Sequence, residues 1–422
     1  MTPLTISSIK NSLILLTHFS YLSRMELLKQ LMSIESPSGY EQKLAFFLQD
    51  YLECHDWNVL LQSVTTNESN EKTYNLYAYR SKGKSTSTPM TNTPRNPDVL
   101  FCSHLDCVPP ILPIKEDKEY IYGRGACDAK NHIVAMIEAG NKLMNETPET
   151  PETPETHSMP QSVGLLFTAG EEVDHPGIRT ANKLQLSPKI FIVGEPTEFH
   201  LIQTQKGCIN GRIHASGIAS HSGYPEYGDD ATRKLMPVLR ALYRLESRIA
   251  GCYVNAYISN GGIASNVLAE EAQADFCIRF NSDATSIINY LNRYRGNTEI
   301  YFDNITSAVN CDIVPGFPVT NAGFMTDLDK FIPFNEPNNP NKSYNMKRFI
   351  YGGGSILDAH TEHEKIAKAD LYRAIDDYIK IVEECYKIED RKEMNKTIET
   401  YDQNGRIDSL DLLWGMRENR EN

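Results

Sequence analysis

Short runs of apolar residues recur in the first half of the chain, and each is followed by histidine or carboxylate side chains. Apolar runs of this length predict strands buried on both faces of a parallel sheet. The carboxyl ends of parallel strands meet at one edge, where α/β proteins collect functional groups. The runs and the polar residues that follow them are 99–101 before His104 and Asp106, 163–167 before Glu171 and Glu172, and 190–193 before Glu195.

Glycine-rich turns introduce two further polar residues of the same kind. Residues 123–127 form a glycine-rich turn that ends at Asp128, and residues 352–354 are three glycines that precede His360. Helical apolar spacing predicts a helix over 130–143. The same spacing extends over 25–52, where a turn at 36–39 interrupts it. The pattern therefore predicts that several polar clusters converge at one edge of the sheet.

The pattern changes after Glu195. Strands are predicted at 201–204, 211–216, 256–259 and 272–280, with a helix at 232–249. This block predicts an inserted α+β domain at 206–315. The chain then returns through an apolar run at 349–351, and a last helix is predicted at 367–386. The predicted catalytic domain is therefore discontinuous, 1–205 with 316–390, and a C-terminal extension of unassigned role occupies 391–422.

Composition limits the class of protein. A chain of 422 residues exceeds one ordinary core, which favours two domains. The net charge of −13 argues against nucleic acid and anionic membranes as partners. Nine cysteines without a C-x-x-C pair favour reduced thiols. No apolar stretch approaches a membrane span, and 11–19 fits the first amphipathic helix, so a cytoplasmic protein is expected. The polar segments 81–97 and 146–156 are predicted to be mobile surface loops.

The polar clusters have the chemistry of a two-metal hydrolase. Imidazole and carboxylate groups bind divalent cations, and a catalytic site keeps one position for water. Asp106 stands where it can hold the other nitrogen of His104, and Glu171 is left free to act as general base. Taken singly, each motif has an ordinary alternative: a surface loop, a solvated pair of glutamates, a helix-cap histidine. Together they predict the metal ligands His104, Asp128, Glu172, Glu195 and His360.

Other histidines and cysteines near these motifs are not assigned as ligands. Cys102, Cys107 and Cys127 are expected to be buried bystanders, because a free cysteine packs like a small apolar residue. His132 is expected to pack in a helix. His175 and His363 are expected at the rim of the site.

The ordered motifs resemble one family. Residues 103–109, 123–130, 168–172, 194–197, 352–355 and 359–361 with Glu364 resemble the zinc-dependent aminoacylase, acetylornithine deacetylase, succinyl-diaminopimelate desuccinylase and glutamate carboxypeptidase metallohydrolases. The resemblance implies an α/β fold with a mixed-sheet catalytic domain of the zinc-peptidase type and an inserted α+β lid and dimerisation domain. It also implies a homodimer formed through that lid, and two divalent ions, with zinc preferred and cobalt or manganese as alternatives.

The same resemblance implies individual roles. Glu172 and His360 would hold one ion and His104 and Glu195 the other, with Asp128 between them. The motif around His221 resembles the family's lid motif, in which the histidine enters the partner subunit's site and stabilises the oxyanion. Residues that resemble the family's substrate-binding groups are Asn266, Arg279 and Gly353, and a bidentate guanidinium suits a carboxylate.

The favoured function is hydrolysis of an N-acyl amino acid, as in acetylornithine deacetylase, because glutamate at position 195 resembles the deacylases. Alternatives with the same site are a dipeptidase, a carboxypeptidase or a desuccinylase. A non-catalytic scaffold is disfavoured by the intact ligand set, and a secreted protease by the free cysteines. Ser355, Asn131 and Asp230 depart from the family pattern, which bears on the substrate rather than on the metals.

Overall fold

The computed structural model describes residues 22–65, 72–82, 96–145, 159–334 and 346–403. Several predicted segments lie outside these ranges: the first part of the N-terminal helix at 11–19, most of the loop at 81–97, the loop at 146–156, and the end of the C-terminal extension. None of the helices within the described ranges combines the length and the apolar character needed to cross a membrane.

The helices are numbered in chain order. They are α1 Arg24–Ser33, α2 Gln42–Glu53, α3 Lys130–Asn145, α4 Pro176–Ala181, α5 Ala231–Arg248, α6 Ala284–Asn292 and α7 Lys368–Gln403. Short 3₁₀ turns lie at Asn182–Leu184, Pro225–Tyr227 and Asp327–Asp329.

The strands are short, and several coincide with the predicted apolar runs. In the first half of the chain they are β1 Asn58–Val64, β2 Thr73–Ser81, β3 Val99–His104, β4 Lys115–Glu116, β5 Tyr120–Tyr122, β6 Ser162–Thr168, β7 Ile190–Gly194 and β8 Leu201–Gln205. In the second half they are β9 Gly207–Ser216, β10 Tyr253–Asn260, β11 Glu271–Phe280, β12 Thr298–Thr306, β13 Val309–Asn310, β14 Val319–Ala322, β15 Lys347–Tyr351 and β16 Lys365–Ala367.

The main sheet is mixed and has the order β1-β2-β6-β3-β7-β15. Strands β6, β3, β7 and β15 run parallel, while β2 pairs antiparallel with β6 and β1 antiparallel with β2. Every residue of β3, β6 and β7 is buried. The continuous apolar runs are therefore explained by helices and loops that cover both faces of the sheet. The carboxyl ends of these parallel strands form one edge, as predicted.

Alternate side chains of the main sheet enter two different cores. Phe101, Phe167 and Ile192 pack in the core that includes α1, α2, α3 and α7. Leu100 and Phe191 face the opposite way and pack with α4 and with Phe331. Burial on both faces fixes the register of the strands, because a slip of one residue would exchange the two cores.

A second sheet has the order β10-β11-β9-β12 and is antiparallel throughout. Its strands alternate buried and more exposed residues, and α5 and α6 pack on the buried face. This α+β unit corresponds to the predicted insert. The boundaries of the two predicted domains stay a prediction.

A small junction sheet lies where the chain enters and leaves the insert. Its order is β13-β8-β14, with β8 in the centre. Gln205, at the end of β8, pairs with Val309 on one side and with Ala322 on the other. The segment between these strands therefore begins and ends at nearly the same place.

Several predicted boundaries are wrong. Strand β9 was expected at 211–216 but begins at Gly207, and β10 was expected at 256–259 but spans Tyr253–Asn260. The last helix was expected to end at Tyr386, but α7 continues to Gln403. The charged composition beyond residue 386 suggested an extension, whereas Glu, Lys, Arg and Met are strong helix formers and carry the helix forward. The hairpin of β1 and β2, helix α6 and strand β12 were not predicted at all.

Candidate metal centre

His104 and Asp106 form the base of the site at the end of β3. His104 is buried, and its Nδ1 lies 2.9 Å from the backbone oxygen of Asp106 and 3.4 Å from its Oδ1. The Asp106 carboxylate also accepts the backbone N–H groups of Glu171 and Glu172, both at 3.1 Å, and the Ser38 hydroxyl at 2.7 Å. Asp106 therefore fixes both the imidazole and the pair of glutamates beyond β6.

The Asp128 carboxylate lies between the two predicted histidine ligands. Its Oδ1 is 2.9 Å from His104 Nε2, and its Oδ2 is 3.3 Å from His360 Nε2. The same His360 nitrogen lies 2.9 Å from Glu172 Oε1. The structure thus brings together His104, Asp128, Glu172 and His360, whose positions in the sequence span more than half of the chain.

A buried ion pair holds the turn that presents Asp128. The Glu364 carboxylate accepts the N–H groups of Cys127 at 3.0 Å and Asp128 at 3.1 Å, and the Arg124 Nη1 at 2.5 Å. Asn131 donates its side-chain amide to the backbone oxygens of Ala126 and Cys127. Asn131 departs from the family pattern, and here it closes the first turn of α3 against the loop.

Burial and mutual repulsion disfavour ionisation of the glutamates at this edge. Burial raises the pKa of Glu171 well above its usual range, and the charge of Glu195 raises it further. Burial raises the pKa of Glu195 as well, followed by the charge of Asp128. The pKa of Glu172 is also raised, again mainly by burial. Carboxylates in this arrangement need positive charge if all of them are to ionise near neutral pH.

The histidines supply only part of that positive charge. Contacts with Asp128 and Glu172 raise the pKa of His360 to about 10. Burial opposes protonation of His104, yet its contacts with Asp106 and Asp128 raise its pKa. Burial also works against the Asp128 carboxylate, but contacts with His104 and His360 lower its pKa. The two imidazoles therefore balance only part of the negative charge of the surrounding carboxylates.

The donor set fits divalent cations. One ligand atom from each of His104, Asp128 and Glu172 lies within 4.8 Å of the others. His360 contacts two of these carboxylates, and Glu195 is buried at the carboxyl end of the neighbouring strand β7. Nitrogen and oxygen donors of this kind suit zinc, cobalt and manganese.

Residues assigned to substrate or oxyanion binding do not join this cluster. His221 is exposed, and its Nδ1 accepts the N–H of Gly223 at 3.0 Å. Asn266 is also exposed and is adjacent to the His221 turn, because its backbone oxygen accepts the N–H of Ser222 at 2.9 Å. Arg279 lies on β11, and its buried Nη1 has no hydrogen-bond partner among the described residues. All three belong to the insert.

Gly353 lies on the other side, in the buried turn after β15. A Cβ atom at this position would lie 2.8 Å from the ring of Phe199. The neighbouring Gly352 is equally restricted, because its Cβ would lie 2.6 Å from the backbone oxygen of Glu195. The glycines therefore permit close packing of this turn against the end of β7.

Most of the excluded histidines and cysteines lie as expected. Cys102, Cys107 and Cys127 are buried, and burial raises the pKa of each thiol. His132 is fully buried in α3, which lowers its pKa to about 3, and His363 is exposed.

His175 was expected at the rim, and that expectation is wrong. Its side chain is only 11% exposed, and its Nδ1 lies 2.9 Å from Asp327 Oδ1 and 3.6 Å from Glu171 Oε1. The residue begins α4 in the left-handed conformation, with φ at 51°, which turns the chain back toward β6. The run of polar residues around it contains no signal for this inward turn.

Two buried carboxylates beside the glutamates were not assigned from the sequence. Glu41 accepts the N–H groups of Gly39 at 2.9 Å and Gly170 at 3.0 Å, and the Thr73 hydroxyl at 2.5 Å. Asp327 accepts the Thr168 hydroxyl at 2.5 Å. The turn at 36–39 just before Glu41 could have pointed to that residue. Asp327 stands in no motif, so the sequence did not indicate its role.

Comparisons with known proteins agree with this architecture. A family model described as a peptidase dimerisation domain matches residues 203–297. A probable carboxypeptidase of Aspergillus clavatus is 31% identical over 395 residues, which cover 84% of this chain and 81% of the relative. A peptidase M20 domain-containing protein of Schizosaccharomyces pombe is 32% identical over 396 residues, which cover 88% of each chain.

Solved structures show the same fold at lower identity. A tripeptidase of Staphylococcus aureus superposes with a TM-score of 0.64 at 16% identity, covering 86% of this chain and 98% of that one. A Bacillus subtilis protein described as a dinuclear metal-binding peptidase of the M20 family gives a TM-score of 0.57 at 13% identity, covering 88% and 98%.

The fold and the relatives together define a hydrolase of peptide or amide bonds. The chain belongs to the M20 peptidase family. This confirms the family suggested by the sequence motifs and the predicted fold class. The likeness to acetylornithine deacetylase in particular stays a prediction.

Proposed function

We propose that this protein is a two-metal hydrolase that releases an amino acid with a free carboxylate from an amide bond. The observation that carries the proposal is the Asp128 carboxylate, which has a different oxygen next to each of His104 and His360. Glu172 and Glu195 complete the set, with Glu172 and His360 assigned to one ion and His104 and Glu195 to the other. Zinc is the first choice of metal, with cobalt or manganese as alternatives.

Glu171 is assigned as the general base. A pair of divalent ions, when bound, makes water more acidic and polarises a carbonyl oxygen. Glu171 takes a proton from the attacking water and delivers it to the leaving nitrogen, so its carboxyl must exchange protons during each turnover. Asp106 holds the backbone of Glu171 by a hydrogen bond of 3.1 Å, which keeps this carboxyl at the edge of the sheet. Asp106 therefore acts by positioning both His104 and the base.

The insert supplies the proposed substrate contacts. Arg279 has a buried Nη1 without a hydrogen-bond partner among the described residues, so it retains a donor for the substrate carboxylate. Asn266 and His221 lie on adjoining turns. We assign Asn266 to the carboxylate and His221 to the oxyanion in the partner subunit of a homodimer. Gly353 is assigned to substrate binding through its backbone.

Two substrate classes fit this chemistry. Glutamate at position 195 resembles the deacylases and favours an N-acyl amino acid, while several relatives are named probable carboxypeptidases. Both classes present a free carboxylate beside the scissile amide. A desuccinylase or dipeptidase substrate would use the same machinery.

Kinetics with a substrate panel test the proposal. Metal-replete protein should hydrolyse at least one of the acetyl amino acids, succinyl-diaminopimelate, dipeptides or blocked peptides with a free C-terminus. Glu171→Gln should keep both metals and lower kcat by about 10²–10⁴-fold, because it removes the general base. Metal content is measured on the same samples.

Controls separate this outcome from general damage. Glu198→Gln alters an exposed glutamate that contacts Ser355 rather than the cluster, and it should retain activity. Metal-replete protein that hydrolyses no member of the panel would overturn the proposed function. Unchanged kcat in Glu171→Gln would overturn only the role of the base.

A further inference from the structure

A chain of polar side chains with little solvent exposure connects Thr168, at the end of β6, to Glu171. Thr168, the last residue of β6, donates its hydroxyl to Asp327 Oδ2 at 2.5 Å. The other oxygen of Asp327 lies 2.9 Å from His175 Nδ1, which in turn lies 3.6 Å from Glu171 Oε1. Asp327 is 2% exposed and Thr168 fully buried.

We propose that His175, held by Asp327, is a positioning residue that fixes the Glu171 carboxyl group for proton transfer. The inference rests on the proposed function, in which Glu171 is the general base. His175 does not reach the cluster of predicted metal ligands among the described contacts, so it acts through Glu171 alone.

The backbone around His175 supports a positioning role. The N–H of His175 donates to the oxygen of Gly170 at 3.0 Å, and the N–H of Gly177 donates to the oxygen of Ala169 at 2.9 Å. These bonds close the loop that carries Glu171 and place the imidazole over it. A Cβ at Gly177 would lie 2.3 Å from the Ala169 oxygen, so the loop and α4 are in direct contact.

Asp327 is equally well fixed. It begins a 3₁₀ turn capped by Thr326, whose hydroxyl accepts the N–H of Leu328 and donates to Gln205 Oε1 at 2.7 Å. Both Asp327 oxygens therefore have donors from different elements, one from β6 and one from the start of α4. A carboxylate with two fixed donors orients an imidazole well, because each hydrogen bond restricts a different direction.

A third cation is the competing explanation for this cluster. Glu171, His175 and Asp327 each have one ligand atom within 4.8 Å of the others. The Thr168 hydroxyl, which does not belong to this set, already donates to Asp327 Oδ2, and this favours positioning over a cation. A metal at this place is therefore an outcome that the experiment must detect.

Kinetics of position-175 variants provide the first test. His175→Ala should lower kcat about 10–100-fold, since a small misplacement of a reacting group is costly, while KM and the content of two metals stay the same. His175→Asn should restore most of kcat, because its amide nitrogen takes nearly the place of Nδ1. Asp174→Asn is the matched control: its side chain is 71% exposed on the same loop and contacts Arg179.

A second test asks whether His175 acts through Glu171. In a Glu171→Ala background, His175→Ala should have no further effect on the residual rate, since residues that act as one unit are not additive. In crystal structures of metal-free protein, the Glu171 carboxyl group should move in His175→Ala and keep its place in His175→Asn.

The outcomes distinguish the possible failures. If the wild-type protein hydrolysed no amide of the panel, the proposed function itself would be wrong. Active wild-type protein with an unchanged kcat in His175→Ala, or an unmoved Glu171 carboxyl group, would overturn the positioning role alone. A third equivalent of metal that is lost in His175→Ala or Asp327→Asn would replace positioning by metal binding and overturn the proposal.

Discussion

At the scale of single residues, buried carboxylates rather than apolar packing hold the turn after β6. This turn carries Glu171 and Glu172 and is called the glutamate turn. Asp106 accepts the N–H groups of Glu171 and Glu172, and Glu41 accepts that of Gly170. Three consecutive backbone donors are thus satisfied by side chains from other parts of the chain. A turn held this way is fixed in direction, because each donor has a single acceptor.

Glu41 provides a prediction on the pH dependence of stability. Burial, and then the charge of Asp106, raises its pKa from 4.5 to about 7. Between these values the folded protein binds more protons at Glu41 than the unfolded chain, so this residue lowers stability as the pH rises. Glu41→Gln removes this titration. The free energy of unfolding of the variant minus that of wild type should therefore be about 1–3 kcal/mol larger at about pH 7.5 than at about pH 4.5.

Urea unfolding of the metal-free proteins at both pH values measures this difference. Glu35→Gln changes an exposed glutamate just before the same turn and serves as the matched control. A difference between Glu41→Gln and wild type that does not change with pH would contradict the prediction.

The sequence predicts the residues of the candidate metal centre because each follows a strand or a glycine turn. His104, Glu172 and Glu195 could be placed at one edge from the apolar runs alone. Asp327 and His175 could not, because Asp327 meets Thr168 across 159 positions of sequence and belongs to no periodic pattern. Contacts of this kind depend on how loops return to the sheet, which local spacing does not encode.

At the scale of elements, the short helix α4 packs against the glutamate turn and stabilises its position. Gly177 in its first turn donates to Ala169 and accepts the Asn75 amide at 2.8 Å. The helix has six residues and cannot be stable alone, so its position depends on these contacts. The sequence did not predict this helix, because six residues are too few to show helical apolar spacing.

Gly177→Ala should disrupt the contact between α4 and the glutamate turn. The added Cβ would lie 2.3 Å from the backbone oxygen of Ala169, so α4 must move away from the turn. We expect a loss of about 1–3 kcal/mol in the free energy of unfolding, together with a lower kcat. Thermal unfolding and kinetics measure both effects.

Gly323→Ala is the control for this prediction. An added Cβ there meets no heavy atom within 4 Å, so stability should change by less than about 1 kcal/mol. Equal stability and activity in the two variants would show that the contact between α4 and the turn is unimportant.

At the scale of the whole molecule, the site and the proposed oxyanion histidine lie in different units. The cluster belongs to the main sheet, while His221 lies in an exposed turn of the insert. The match to a peptidase dimerisation domain, residues 203–297, covers most of the insert. A homodimer in which His221 serves the partner subunit would join the two.

Mixed dimers test this arrangement. Glu171→Ala and His221→Ala proteins should each be nearly inactive, and an equal mixture that exchanges subunits should recover about a quarter of wild-type activity, since half of the dimers would contain one complete site. Recovery requires that His221 act across the interface. Mixtures shown to contain hybrid dimers that recover no activity would place His221 in its own subunit's site, and an active His221→Ala protein would remove it from catalysis.

The junction sheet has a consequence for how such a molecule can be assembled. Because Gln205 pairs with both Val309 and Ala322, the inserted unit leaves and rejoins the main body through adjacent strands. A unit whose two ends are neighbours can be cut out and closed with a short peptide, or grafted into another host, without pulling the host's sheet apart. Residues 206–308 are thus connected to the main body at the three-stranded junction sheet.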